Sequence, residues 1–93
     1  MVAASKKITN FKKQLNRLDA KMAKEAQLHF VLSDPTRLKI LFLLKKRQEI
    51  CVSDLASVLE LTVSAVSHQL SLLERSHLIR SHKMGKTVCY QII

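Results

Sequence analysis

The segment from Thr62 to Arg75, with the sequence TVSAVSHQLSLLER, begins with a hydroxyl residue suited to an N-cap and has the pattern of an amphipathic helix. Its apolar residues recur at steps of three, four and three and form one stripe, Val63, Val66, Leu70 and Leu73. The rest of its surface carries small hydrogen-bonding groups instead of the Lys and Glu that are common on solvated helices. Short donors and acceptors suit contact with base edges in a groove, so this pattern predicts a DNA-recognition helix.

The polar face of this helix contains most of the candidate DNA contacts. His68 lies at an outward position and is the candidate for sequence discrimination, with a packing or capping role as the alternative. Leu72 lies nearly opposite the apolar stripe, so another element must cover the end of the helix and leave its first two turns for DNA. The candidates are Thr62, Ser64, Ser67, His68, Gln69 and Ser71.

The pattern changes from helical to alternating after Ser76-His77. Residues 78–83 and 87–92 are strand-like runs around Met84-Gly85-Lys86, and the single Gly of the chain suits the tip of a hairpin. A basic hairpin directly after a recognition helix is typical of a wing that contacts phosphate or the minor groove. Its candidate DNA-binding residues are Arg80, Lys83 and Lys86.

The remaining elements are predicted to be mostly helical because the chain has one Pro and one Gly. Asp34 and Pro35 start a second helix, whose many apolar residues predict the central buried helix. A short β-favouring segment follows at residues 49–52, and Ser53 is the expected cap of a third helix ending near Leu59. The predicted fold is a winged helix-turn-helix: two helices, a short edge strand, two more helices and a β-hairpin.

A long first helix is predicted from about residue 10 to residue 32, after a loose basic arm over residues 1–8. Residues 9–93 would then form one domain. The helix has an apolar stripe beside many Lys and Arg, which fits packing on a partner helix in a dimer, packing on its own core, or a membrane surface. Protein packing is favoured over a membrane surface because Ala and Met dominate its later part and the chain has no Trp, and a partner helix in a dimer is the preferred contact. The candidate dimerisation residues are Phe11, Leu15, Leu18 and Met22.

Charge and composition indicate the class of partner. The net charge is +9 and the pI about 10, and the basic residues are concentrated towards both ends of the chain. This distribution favours binding to a polyanionic partner over a charge that only keeps the protein soluble. No apolar run approaches the roughly 20 residues of a membrane span, and no signal peptide is evident, so a cytoplasmic protein is expected. Two cysteines without a disulfide framework fit that compartment. No catalytic constellation occurs, so we expect neither enzymatic activity nor a cofactor.

Three segments together resemble the ArsR/SmtB family of bacterial winged-helix repressors: SDPTRLKILFLL, EICVSDLASVLELTVSAVSHQLSLLERSHLI and RSHKMGKTVCYQI. The resemblance covers about residues 23–92. It implies a homodimer that binds double-stranded operator DNA near a promoter and represses transcription. Many members of that family release DNA when a metal, a metalloid or an oxidant reaches cysteine, histidine or carboxylate ligands.

The chain departs from the metal-sensing members of that family. Where those members often carry two cysteines, this sequence has Cys51-Val52-Ser53, and residues 1–28 supply no Cys or His. We therefore predict no metal site, with Cys51 and Asp54 as weak candidates. The helix that follows the wing in many members is also missing, so the first helix is expected to supply most of the dimer contact. Two usual glycines are replaced by Glu60 and His77, where a left-handed helix end is expected.

The predicted function is that of a homodimeric repressor that binds duplex DNA. One alternative is a winged-helix module that binds proteins and has lost DNA binding. Another is a repressor released by metal or by thiol oxidation through Cys51. A buried core residue is the default interpretation of Cys51; a redox pair with Cys89 requires a proximity that the sequence does not determine.

Overall fold

The computed structural model describes residues 2–93, with side chains from Ser5 onward. Its elements are α1 (Val2–Leu32), α2 (Pro35–Arg47), β1 (Ile50–Cys51), α3 (Val52–Leu59), α4 (Val63–Arg75), β2 (Ile79–Met84) and β3 (Thr87–Ile92). The strands form one antiparallel sheet in the order β1-β3-β2, with β1 at an edge as expected. Helices α3 and α4 form the helix-turn-helix and β2 and β3 the wing, which confirms the predicted fold.

The starts of α2 and α4 follow from local hydrogen bonds. The Asp34 carboxylate accepts from the backbone N–H of Arg37 at 3.2 Å, and the Thr62 hydroxyl accepts from the N–H of Ala65 at 3.1 Å. Both predicted caps are thereby confirmed. The expected cap at Ser53 is wrong, because α3 begins at Val52 and Ser53 is already helical. Cys51 occupies the cap position without a side-chain cap bond.

Both helices of the helix-turn-helix end on a residue in the left-handed region, as predicted. Glu60 has φ 56° and His77 has φ 60°. At each end two backbone N–H groups donate to carbonyls of the last helical turn. At the end of α3 the N–H of Glu60 donates to the Ser57 carbonyl and that of Leu61 to the Ala56 carbonyl. At the end of α4 the N–H of His77 donates to the Glu74 carbonyl and that of Leu78 to the Leu73 carbonyl. These pairs of bonds define Schellman motifs, which satisfy carbonyls that would otherwise lack partners.

Replacing Glu60 with Gly is expected to stabilise the protein by about 1 kcal/mol, because a side chain in the left-handed conformation costs roughly that much. Urea unfolding at fixed protein concentration measures the change. Glu60→Ala is the matched control, since it removes the carboxylate but keeps the β-carbon. Equal stability of the Gly and Ala variants would show that the conformational penalty is not the cause.

The core lies where α4 crosses α2, α3 and the sheet. Its buried cluster consists of Val31, Ile40, Leu44, Leu55, Ala56, Val66, Leu70, Leu73 and Ile79. Three members of the predicted α4 stripe are fully buried, whereas Val63, the first residue of that helix, is 49% exposed. The prediction of a central buried α2 is wrong: Leu38 is 47% and Phe42 60% exposed, because the single chain covers only one side of this helix.

Helix α1 projects from this core. It has 31 residues, or about 46 Å, and accounts for the molecule's longest dimension of 66 Å. It begins at Val2, so residues 2–8 are helical where an arm was expected, and Met1 lies outside the described residues. Only its end is anchored, through the fully buried Val31. Over the described range, no helix combines the length and apolar character needed to span a membrane.

Candidate nucleic-acid interface

The outer face of α4 is a row of four exposed polar side chains: Ser64, His68, Ser71 and Arg75. They recur at steps of four, three and four, opposite the three buried residues of the stripe. The first three were predicted from the sequence as DNA-binding candidates, whereas Arg75 was not. Its spacing from Ser71 was the signal that could have identified it.

The other α4 candidates lie beside this row. Ser67 is partly buried on the flank, and Thr62 is exposed at the helix N-terminus. Because the Thr62 hydroxyl oxygen accepts the capping bond, its O–H can still donate to a ligand. Both remain near the row, whereas Gln69 lies on the opposite flank, towards the core.

Gln69 is held by a buried arginine. Arg37 is 6% exposed and donates from Nη1 to Gln69 Oε1 at 2.8 Å. It also donates to the last turn of α1, from Nε to the Val31 carbonyl at 2.6 Å and from Nη2 to the Phe30 carbonyl at 2.9 Å. One guanidinium therefore joins α1, α2 and α4. The amide oxygen that would accept from adenine is engaged here, and the DNA contact by Gln69 stays a prediction.

The end of α4 is covered on one flank only. Leu72 is partly buried, in agreement with the expectation that another element lies against it. Gln27 Nε2 donates to Ser76 Oγ at 3.5 Å, which places α1 beside this end of the helix. Arg75 is nevertheless exposed on the outer row. The free surface thus extends along the whole helix, further than the two turns expected.

The wing is attached to α4 through its first strand. Ser81 Oγ donates to Glu74 Oε2 at 2.7 Å, and Ile79 is buried in the core. Burial and, to a lesser extent, the nearby Glu74 carboxylate raise the pKa of the Tyr90 hydroxyl, so it stays neutral beside this contact. These contacts fix the wing relative to the outer row.

The wing presents its basic residues around a tight turn. Met84 belongs to β2, so the loop is Gly85-Lys86, shorter by one residue than expected. Gly85 has φ 64°, the glycine-favouring conformation of the first loop residue in a type II′ turn. Arg80, Lys83 and Lys86 are all exposed.

The two cysteines occur together in a disulfide between Cys51 and Cys89. Cys89 is fully buried and Cys51 is partly exposed, so the default interpretation of Cys51 as a buried core residue is wrong. The sequence left the proximity of Cys51 and Cys89 undetermined, and the structure shows the two residues paired. Among residues whose side chains are described, no three His, Cys, Asp or Glu side chains are placed to hold a metal ion.

Residues 34–81, from the cap of α2 into β2, match the family model described as bacterial regulatory protein, arsR family. The chain belongs to the arsR family. It is 40% identical over 67 residues to the transcriptional repressor SmtB homolog of Synechocystis sp., and the match covers 72% of this chain and 50% of that protein. It is 34% identical over 84 residues to the cadmium resistance regulatory protein CadC homolog of Staphylococcus aureus, covering 85% and 69% respectively.

Solved structures share the arsR-family fold. HlyU from Vibrio cholerae superposes with a TM-score of 0.71 at 36% identity, covering 77% of each chain. A homodimeric winged helix-turn-helix DNA-binding domain from Mycobacterium bovis superposes with a TM-score of 0.75 at 26% identity, covering 82% of this chain and 69% of that one. The chain spans about half the length of the first curated relatives it matches.

Proposed function

We propose that this arsR-family chain is a transcriptional repressor that binds duplex DNA as a homodimer, with α4 in the major groove and the wing on the backbone or in the minor groove. The observation that carries the proposal is the exposed outer row of α4. It acts by binding and not by catalysis. Operator DNA lies in the bacterial cytoplasm, so this function assigns the chain to that compartment.

The outer row has the dimensions and chemistry of a groove-binding surface. From Ser64 to Arg75 it runs for about 17 Å along the helix, and a major groove is about 12 Å wide. Hydroxyl, imidazole and guanidinium groups can each bond to base edges or phosphates. Because the opposite face is buried and braced by Arg37, the helix can be inserted as a rigid element.

The wing would supply affinity without sequence preference. Arg80, Lys83 and Lys86 carry positive charge on an exposed hairpin, and such groups bind phosphates with strong salt dependence. The bond between Ser81 and Glu74 holds this hairpin to the recognition helix. Insertion of α4 into the major groove would therefore place the wing against the neighbouring sugar-phosphate backbone of the DNA.

The unpartnered apolar stripe of α1 supports the homodimer. Its members are 41–55% exposed in the single chain: Ile8, Phe11, Leu15, Leu18 and Met22. They alternate at steps of three and four, the heptad pattern by which two helices pack along a seam. The related M. bovis domain is homodimeric. A symmetric dimer would place the two α4 helices on half-sites about one helical turn, roughly 34 Å, apart.

Replacing His68 with Ala is expected to lower the ratio of operator to random-DNA affinity about fivefold or more, since a lost base contact costs at least about 1 kcal/mol. Lys86→Ala is expected to weaken both affinities about equally and to reduce the salt slope by about 1. Fluorescence anisotropy with both duplexes over a salt series measures these quantities.

His29→Ala is the matched control, because His29 is an exposed histidine on α1, away from the outer row. It should leave both affinities unchanged. If His68→Ala binds operator and random DNA with the same affinity ratio as the wild type, His68 does not contact a base. A wild-type chain that binds neither duplex at low salt contradicts the proposed function as a whole.

A further inference from the structure

An apolar groove lies between α2 and α3. Its floor is formed by Leu38, Phe42 and Leu43 of α2 and by Val58 and Leu59 of α3. The free volume of this α2–α3 groove is about 550 Å³, within the range of roughly 300–1,000 Å³ that is typical of binding clefts. Single exposed apolar residues are normal on protein surfaces, whereas a contiguous group of them indicates an interaction site.

The α2–α3 groove points away from the recognition helix. Phe42 is two positions from both Ile40 and Leu44, which corresponds to roughly 200° around the helix axis. Ile40 and Leu44 are fully buried in the core to which α4 contributes, so Phe42 lies on the opposite side of α2. Val58 is 63% exposed and extends this apolar side onto α3. The groove is therefore separate from the outer row of α4.

The charges around the groove differ between its two helices. Lys39 lines the groove, and the Lys46 Nζ atom lies 5.6 Å from the centroid of the Phe42 ring, within cation–π range. On the other side, Asp54 belongs to α3 and Glu60 lines the groove at the end of that helix. The exposed charged residues of α2 are all cations: Lys39, Lys45, Lys46 and Arg47. The α2 side of the groove therefore attracts acidic groups.

We propose that the α2–α3 groove binds an acidic amphipathic helix of another protein, with its apolar residues on the groove floor and its acidic residues along α2. Helices bind in apolar grooves through residues at i, i+3 or i+4, and i+7, which lie on one face. Carboxylates on the flank beside this face would pair with Lys39 and Lys46. This site does not depend on DNA binding by α4.

Charge favours such a partner over a second copy of this chain. The exposed amphipathic helix that a second copy offers is α1, which has seven Lys and Arg against two acids. Placing it in the groove would bring its cations against Lys39 and Lys46. Two grooves packed face to face would juxtapose the same lysines. Acidic side chains at these positions form attractive pairs instead, and such complementarity selects between partners.

The groove is tested with two fluorescent peptides of about 18 residues, long enough to form a helix in solution. Both have Leu at i, i+4, i+7 and i+11 and are otherwise mainly Ala, but one flank carries Glu in the first peptide and Lys in the second. By anisotropy, the Glu peptide should bind about tenfold or more tightly than the Lys peptide. Phe42→Ala should weaken the Glu peptide about tenfold or more, as for a central aromatic of an interface.

A charge exchange separates specific pairing from general attraction to a basic protein. Lys46→Glu should weaken binding of the Glu peptide and strengthen binding of the Lys peptide. Lys13→Glu is the matched control, because Lys13 is exposed on α1 and its replacement changes the net charge by the same amount. It should leave both affinities unchanged. Equal effects of the two substitutions would show attraction by net charge alone and overturn the site.

Three further outcomes contradict the proposal. The first is equal binding of the Glu peptide to the wild type and to Phe42→Ala. The second is displacement of that peptide by random duplex DNA, which would assign the cationic side of the groove to DNA. The third is loss of self-association by Phe42→Ala in sedimentation equilibrium, which would assign the groove to a second copy. Because the peptide measurements need no operator, they decide the groove even if the repressor function fails.

Discussion

Replacing Arg37 with Met is expected to destabilise the protein by about 3 kcal/mol. The substitution keeps most of the side-chain volume but removes the donors to two backbone carbonyls and to Gln69 Oε1. A buried acceptor left without its partner costs about 1–3 kcal/mol, and the Val31 carbonyl loses its guanidinium donor in this way. The Phe30 carbonyl keeps the bonds from the Ser33 hydroxyl at 2.7 Å and the Ser33 N–H at 3.3 Å. The loss of the cation–π contact with Phe30, at 5.1 Å, adds to the cost.

Urea unfolding at equal protein concentration measures this loss, with Arg80→Met as the matched control. Arg80 is exposed on the wing, so its replacement should change stability by about 0.5 kcal/mol or less. Arg37→Met should also weaken operator binding, because α4 loses its brace. Equal stabilities for the two variants would contradict the role assigned to this guanidinium.

The parts of the fold that the sequence predicted depend on contacts between near neighbours in the chain. The caps at Asp34 and Thr62 act within three residues, and the α4 stripe follows from helical spacing. The left-handed ends at Glu60 and His77 are likewise local. For this reason α4, the exposure of its outer face and the β-hairpin could be predicted from the sequence alone.

The parts that sequence could not predict depend on distant partners. Arg37 meets Gln69 across 32 residues and Cys51 meets Cys89 across 38, and neither pairing follows from a local pattern. Which side of an apolar helix is buried depends in the same way on what packs against it. Phe42 was therefore expected in the core of the single chain and is exposed.

Replacing Leu15 with Glu is expected to convert the protein from a dimer to a monomer at micromolar concentration. In the single chain Leu15 is 53% exposed, so a carboxylate there is solvated and the fold should be retained. In a two-stranded seam each copy would bury one unpaired charge among apolar side chains. We expect the dimer dissociation constant to rise about 100-fold or more, equivalent to about 2.7 kcal/mol.

Sedimentation equilibrium measures the dissociation constant, and Asn16→Glu provides a control with the same charge change one residue outside the stripe. Asn16 lies on the polar side of α1, so this variant should remain dimeric. Leu15→Glu should also bind the operator more weakly. A monomer contacts one half-site only, whereas in a dimer binding of the first subunit gives the second subunit a high effective concentration at its own half-site. A Leu15→Glu protein that stays dimeric would place the interface elsewhere, whereas a monomer with undiminished operator affinity would separate DNA binding from dimerisation.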